Sequence, residues 1–378
     1  MIIRELEKRI EDKLFRGKTI IIVGARQVGK TTLLNEVLNR RAEKTLRLNL
    51  DEADVREIMS HPTLEELKRI VADNKIVLLD EAQRAVDIGL TLKRIHDNFS
   101  DIQVLVTGSS SLDLRSIINE PMTGRKWEYT MFPIATSELM NTYGLLATKQ
   151  MLENRLVYGS YPDVLNHQFD AKETLMNLTG SYLYKDILEM DGIRKPSVIE
   201  KLLVALALQI GGEVSYNELA QTVGTDSKTV EKYIDLLEKC FVVFRLKAFS
   251  RNLRNELRKS KKIYFYDNGV RNAILQNFAP LALRNDVGAL WENFFISERI
   301  KYNHYHGRYA QSYFWRTNTQ QEIDYIEECD GFFIAFEMKW NPQKEKAAIP
   351  AAFTNAYPVQ SKAIVTPDNY LDFLVDTQ

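Results

Sequence analysis

Up to about residue 135 the chain alternates short unbroken apolar runs with longer segments whose apolar positions recur every three or four residues. Ile20–Val23, Thr45–Leu50, Ile76–Leu79 and Ile102–Val106 read as strands. Segments starting at Lys30 and near Thr63–Ala72 and Ile88–Phe99 read as helices. Runs without polar alternation mark strands covered on both faces, so the pattern predicts a parallel sheet between helices. From about 136 to 190 only helical spacing persists, which predicts a helical lid closed by the linker "GIRKP". "SYNELAQTVG" and "DSKTVEKYIDLLEKC" follow, the second with Val230, Tyr233, Ile234 and Leu237 at core spacing, and then the strand-like "FVVFRLKAF". Helix, turn, helix and hairpin is the winged-helix order. In the last third "ALWENFFISERI" reads as a helix, "YFWRT" and "EIDYIEE" as a hairpin, and "FFIAFEMKW" as a further strand.

Composition narrows the class. The 378 residues are 45% hydrophobic and 27% charged with net charge −1, the profile of a globular protein with no general pull toward nucleic acid. No apolar run approaches the ~20 residues that span a bilayer, so no membrane partner is expected. "MIIRELEKRIEDKLF" is a charged amphipathic helix rather than a secretion signal. Cys240 and Cys329 offer neither a disulfide framework nor a zinc cluster, and the expected location is the cytoplasm.

The first strand runs directly into "GARQVGKTTL", which fits G-x-x-x-x-G-K-[ST]. Gly24, Ala25, Arg26, Gln27, Val28 and Gly29 would turn successive N–H groups inward as an anion nest at the start of a helix. Lys30 would reach the β- and γ-phosphates of ATP, Thr31 would offer its hydroxyl to Mg²⁺, and Thr32 is expected to join them in binding the nucleotide. "KIVLLDEAQ" supplies the acidic strand such a loop needs, with Asp80 on the Mg²⁺ shell and Glu81 as the base that polarises water. "IQVLVTGSSS" ends in hydroxyls, and Ser109 or Ser110 would either sense the γ-phosphate or cap the next helix.

Two further clusters carry charge. Between Arg245 and Lys262 the cations Arg245, Lys247, Arg251, Arg254, Arg258, Lys259, Lys261 and Lys262 face Glu256 alone. Such a run tracks DNA phosphates or forms a solvated collar for an acidic protein partner. In the last strands Glu337 and Lys339 are two residues apart and so share a face. With Asp324 they would hold a divalent cation beside a nucleophilic water, as phosphodiester hydrolysis requires; the alternative is a hairpin with surface charges.

These motifs, with "TGRKWEYTMFPIATSEL", "YGSYPDVL", "YLYKDILEMDG" and "KSKKIYFYDNGVRNAI", run in order over nearly the whole chain. The chain resembles prokaryotic AAA-like P-loop ATPases of the AAA_14 type with a C-terminal DUF4143 domain. The resemblance implies an α/β protein: a parallel-sheet P-loop ATPase core (1–135), a helical lid (136–195), a winged-helix segment (196–250) and a restriction-endonuclease-like α/β C-terminal domain (251–378). It carries over Lys30, Thr31, Asp80 and Glu81 as nucleotide-site residues, and Asp324, Glu337 and Lys339 as a PD-(D/E)XK set with Glu292 as accessory acid and metal ligand. With spacing, it points to Arg125 in "TGRKWEY", and less to Arg115, as the arginine for transition-state charge, in cis or in trans. "GSYP" at Gly159–Pro162 stands where Gly-Gly-x-Pro is usual. The expected function is an ATP-hydrolysing protein coupling nucleotide state to a DNA-binding module with a candidate metal-dependent nuclease site; the alternative is a nucleotide switch with a silent C-terminal domain that binds a protein partner.

Overall fold

The computed structural model describes residues 2–109, 122–183, 195–250, 261–317, 319–341, 343 and 348–376. The expected sites Ser110, Arg115, Arg251, Arg254, Arg258 and Lys259 lie outside the described residues. The chain divides into two compact units, one of Ile3–Phe132 with Lys239–Phe241, the other of Pro133–Glu238 and the chain from Val242 onward.

The first unit opens with helix α1 (Glu5–Glu11). It then alternates β1 (Thr19–Val23), α2 (Lys30–Asn39), β2 (Thr45–Asn49), α3 (Ala53–Ser60), α4 (Leu64–Val71), β3 (Ile76–Asp80), α5 (Ile88–Asn98), β4 (Gln103–Gly108) and β5 (Lys126–Thr130). The strand order is β2-β3-β4-β1-β5 and every pair is parallel. β1 and β4 are buried along their whole length, as their unbroken apolar runs require. Helix α4 begins with a capping box: Glu66 N–H donates to the Thr63 hydroxyl while Thr63 N–H donates to the Glu66 carboxylate. β4 lies between the strand that ends in the glycine loop and the strand that ends in Asp80, so its own C-terminal end borders both. Ligands of open α/β sheets bind at these carboxyl ends.

The second unit starts with α6 (Thr136–Gln150), α7 (Leu152–Tyr158), α8 (Pro162–Asn166) and α9 (Ala171–Asn177). Then come α10 (Pro196–Leu208), β6 (Glu213–Val214), α11 (Tyr216–Val223), α12 (Ser227–Lys239), β7 (Val243–Ala248), β8 (Lys261–Phe265), α13 (Asn268–Ile274) and α14 (Val287–Tyr305). β9 (Gln311–Arg316), β10 (Glu322–Cys329), β11 (Phe332–Met338), α15 (Ala351–Ala356) and β12 (Val359–Val365) complete it. Val230, Tyr233, Ile234 and Leu237 of α12 are buried, as their spacing predicts. β7 pairs antiparallel with β8, giving the hairpin after the two helices. The same β7 also pairs parallel with β9, so one mixed sheet runs β12-β11-β10-β9-β7-β8-β6. The boundary expected at residues 250 and 251 therefore falls inside a continuous sheet. No helix among the described residues is long and apolar enough to cross a membrane.

Candidate functional site

β1 delivers the chain into the loop Gly24–Gly29. A Cβ on Gly24 would lie 2.1 Å from the carbonyl oxygen of Met131, so only glycine lets the loop pass this strand end. Gly29 sits at φ 94° as the residue before α2, which points the helix N-terminus at the loop. Arg4 braces the loop from behind, its guanidinium donating to Val28 O (2.6 Å) and Phe132 O (2.7 Å). Lys30 is buried, and its ammonium donates to Gly24 O (3.0 Å) and Ala25 O (2.8 Å). Arg26 is half-buried, and Gln27 and Thr32 are exposed.

The ends of β3 and β4 complete the group. Thr31 donates its hydroxyl to both oxygens of Asp80, at 3.0 and 2.9 Å. Thr107 donates to Asp80 as well, and its Oγ1 accepts from Glu81 N–H at 3.1 Å. Glu81 adopts left-handed backbone angles, φ 53° and ψ 42°, uncommon for a residue with a side chain and the kind of strain found at functional sites. Gln83 Nε2 donates to Glu81 (2.6 Å) and to Ser109 Oγ (2.8 Å), joining the two. Thus Lys30, Thr31, Asp80, Glu81 and Ser109 gather at one end of the sheet.

Arg125 is not brought there. It precedes β5, whose first residue Lys126 pairs with Thr19 at the opposite end of β1, and its guanidinium is bound to Asp97 at 2.9 Å. A role on the nucleotide of its own chain is corrected by strand direction: parallel strands place Arg125 at the wrong end of the sheet.

In the second unit, Asp324 lies where the β9–β10 register shifts between Ile323 and Ile326. Such irregularities re-aim side chains, and Asp324 Oδ2 accepts from Met338 N–H at 2.8 Å across to β11. Glu337 is bound by the Lys339 ammonium at 2.6 Å. Glu292 on α14 accepts from Tyr264 Oη (2.5 Å) and from Lys262 Nζ (3.2 Å). Lys262 also meets Glu322 at 2.7 Å. Burial, with the Asp324 charge next, pushes Glu292 up to about 7, and burial raises Asp324 and Glu337 as well. The structure thus brings Glu292, Asp324, Glu337 and Lys339 into one electrostatically coupled cluster. Among the described residues, however, no three His, Cys, Asp or Glu side chains are arranged to hold a metal ion. Ammonium groups and a backbone N–H bind the carboxylates of the expected metal set, Asp324, Glu337 and Glu292.

Among the described residues of the basic run, three of four cations are paired in the same way. Arg245 is paired with Asp235 (2.6 Å) and Glu238, Lys261 with Glu231 (3.7 Å), and Lys262 as above. Lys247 is exposed.

Comparison with known proteins decides the class. Residues 16–140 match the AAA domain family AAA_14, and residues 287–376 match DUF4143, a domain of unknown function. The chain thus carries an N-terminal AAA_14 P-loop ATPase domain and a C-terminal DUF4143 domain. Between the two, residues 149–281 match another domain of unknown function, DUF8612. An uncharacterized protein of Mycobacterium tuberculosis is 26% identical to this ATPase over 347 residues, covering 89% of the chain and 73% of the relative. An uncharacterized protein of Methanocaldococcus jannaschii is 26% identical over 309 residues, covering 71% and 64%. The Walker-type ATPase of Pyrococcus abyssi superposes with a TM-score of 0.50 at 16% identity, covering 73% of this chain and 96% of that one, a likeness of fold.

Sequence reasoning missed Arg4, Gln83 and Thr107 in this ATPase. Thr107 had a signal, being a hydroxyl at the end of the buried strand next to Asp80. Arg4 had none, since its partners lie 24 and 128 residues away.

Proposed function

We propose that this ATPase is a nucleotide-dependent switch whose C-terminal domain is catalytically silent and binds a protein partner. The glycine-framed nest and the N-terminus of α2 receive the phosphates of ATP, and Lys30 turns from the carbonyls of Gly24 and Ala25 to the β- and γ-phosphates. Thr31 and Asp80, already joined by hydrogen bonds, are the residues that would hold Mg²⁺, which supplies charge neutralisation when bound. Glu81 orients the attacking water and takes its proton, while Gln83 fixes the Glu81 carboxylate and ties it to Ser109. Thr107 fixes the end of β3 by bonding both Asp80 and the Glu81 N–H.

The observation that carries the silent reading is the self-pairing of the C-terminal cluster. Lys339 holds Glu337, Lys262 holds Glu292 and Glu322, and Met338 N–H holds Asp324. In this reading the paired carboxylates are not offered to a divalent cation. The described part of the basic segment supports the same reading, since Arg245 and Lys261 face carboxylates of α12.

One observation favours the second reading, a metal-dependent nuclease acting on DNA. Oε2 of Glu337 is buried and has no hydrogen-bond partner among the described residues. Incubating the pure protein with plasmid and Mg²⁺ or Mn²⁺, with and without ATP, separates the two. The switch reading expects ATP turnover and intact plasmid. Nicked or linear plasmid that is lost in Asp324→Asn establishes the nuclease instead.

A further inference from the structure

Lys262 was legible in the sequence only as one more cation of a basic run. The fold gives it a different place. β8 buries it at 3% exposure, with its ammonium 5.4 Å from the centre of the Phe314 ring. There it sits 2.7 Å from Glu322 Oε1 and 3.2 Å from Glu292 Oε1. Those carboxylates come from two elements, β10 and α14, and Asp324 lies two residues from Glu322 on the same strand. A buried cation that bridges carboxylates from separate elements occupies the electrostatic position that a bound ion fills in an oxygen-ligand site. Lys339 closes the other side of the cluster on Glu337. Half-buried carboxylates gathered on one ammonium would repel one another without that counter-charge, and removing the buried Lys262 leaves them uncompensated.

We propose that the Lys262 ammonium is the resident counter-ion of the Glu292–Glu322–Asp324 cluster, standing in for a divalent cation and excluding one. This deepens the silent reading of the C-terminal domain and rests on it. The chemistry follows from position and charge. With the ammonium in place it occupies the space between Glu292 and Glu322 and offsets one of the three negative charges. Without it, Glu292, Glu322 and Asp324 become an oxygen-donor set with unbalanced negative charge, the kind that binds Mn²⁺ or Mg²⁺.

The test is Mn²⁺ binding to the nucleotide-free full-length chain, followed by the electron paramagnetic resonance signal of free Mn²⁺. Each protein is compared with its own Asp324→Asn counterpart, which subtracts any ion held at the P-loop. The wild type is expected to show no Asp324-dependent binding. Lys262→Met keeps the apolar stem against Phe314 and is expected to bind one Mn²⁺ at least tenfold more tightly than the wild type, an increment that Asp324→Asn removes. Should Lys262→Met not fold, as judged by circular dichroism, Lys262→Gln carries the same expectation. Asp324-dependent Mn²⁺ binding by the wild type overturns the proposal, and so does its absence in a folded Lys262 variant. Failure of the underlying reading looks different: wild-type plasmid cleavage refutes the silent domain, whereas Mn²⁺ binding without cleavage refutes only the role of Lys262.

Discussion

The P-loop end of the first sheet and the carboxylate cluster of the second unit use the same residue types and differ in what those residues touch. In the first, the Lys30 ammonium rests on two carbonyl oxygens and the Asp80 carboxylate on two hydroxyls. In the second, Lys339 touches Glu337 directly and Lys262 touches Glu292 and Glu322. Carbonyls and hydroxyls are neutral partners, so these particular contacts can give way to ATP and its ion without separating opposite charges. Direct ion pairs in a buried setting resist replacement, because each partner set free is an uncompensated charge. Composition alone does not make a site; a ligand site is one whose charges are parked on groups that can release them.

The comparison breaks first, and most visibly, at Lys30. Lys30→Ala is expected to abolish measurable ATP binding, and Glu81→Gln to keep binding but lower turnover by about 10²–10⁴-fold, the usual worth of a positioned acid–base group. Fluorescent-nucleotide titration and phosphate release measure the two. Wild-type turnover in Glu81→Gln would remove that carboxylate from the mechanism. Equivalent changes in the second unit, Glu337→Gln or Lys339→Ala, are expected to leave ATP turnover within about twofold.

Stability gives the opposite ranking. The second unit contains a fully buried pair: Arg155, 0% exposed, meets Glu298 at 3.0 Å, and Lys301 meets the same carboxylate at 2.6 Å. Thr136 donates to Glu298 from both its N–H (2.6 Å) and its hydroxyl (2.7 Å). Arg155 also donates to Ser160 Oγ at 2.9 Å, so the serine of "GSYP" is used where a glycine could not serve. Arg155→Met should cost about 3–5 kcal/mol in urea unfolding, the penalty for a buried charge stripped of a partner. A loss below about 1 kcal/mol would mean that Lys301 alone suffices.

The same pair has a pH signature. Burial works against the Glu298 carboxylate, but Lys301 and Arg155 hold it down at about 2, against an ordinary 4.5. Its folded value is the lower one, so its contribution is present above pH 4.5 and is lost as pH falls from there toward 2. Unfolding free energy measured between pH 5 and 3 should therefore fall less steeply in Glu298→Gln than in the wild type. Identical slopes would place the acid sensitivity elsewhere.

How much of this was legible in the sequence follows from how local each signal is. The strand–loop–helix at Ile20–Leu33 was readable because its glycines, lysine and threonine interact within a dozen residues. Asp80 was readable from the apolar run before it. β5 was missed because "KWEYT" is an edge strand with half-buried charges and lacks an apolar run. That omission is what misplaced Arg125, since without the strand its end of the sheet could not be assigned. Glu298 was unmarked because its partners Arg155 and Thr136 lie far off in the chain. Gly159 was marked only as the start of "GSYP", yet a Cβ there would lie 1.9 Å from the Asp267 carboxylate, and this buried acid accepts from Ser160 N–H at 2.7 Å. Such constraints become visible only when distant segments meet.

The smallest expected effect belongs to Arg125, and it tests whether the first site is complete within one chain. Arg125 and Asp97 are each more than one-third exposed, and a pair of that kind contributes about 0–1 kcal/mol. From Arg125 to Thr130, the residue beside Val23 and the glycine loop, the chain makes five rises of roughly 3.3 Å, so roughly 16 Å separate the two. No arginine side chain spans that distance to a triphosphate in its own chain. Arg125→Ala should then shift stability by less than about 1 kcal/mol, with a matching small coupling in a double-mutant cycle with Asp97→Ala. Its ATP turnover in dilute solution should stay within about twofold of the wild type. A tenfold or greater loss, together with wild-type specific activity that climbs with protein concentration, would show Arg125 acting on the nucleotide of a neighbouring copy. The contrast between a ligand-ready site and a self-paired cluster would then have to be redrawn, because the first would be finished only by a second chain.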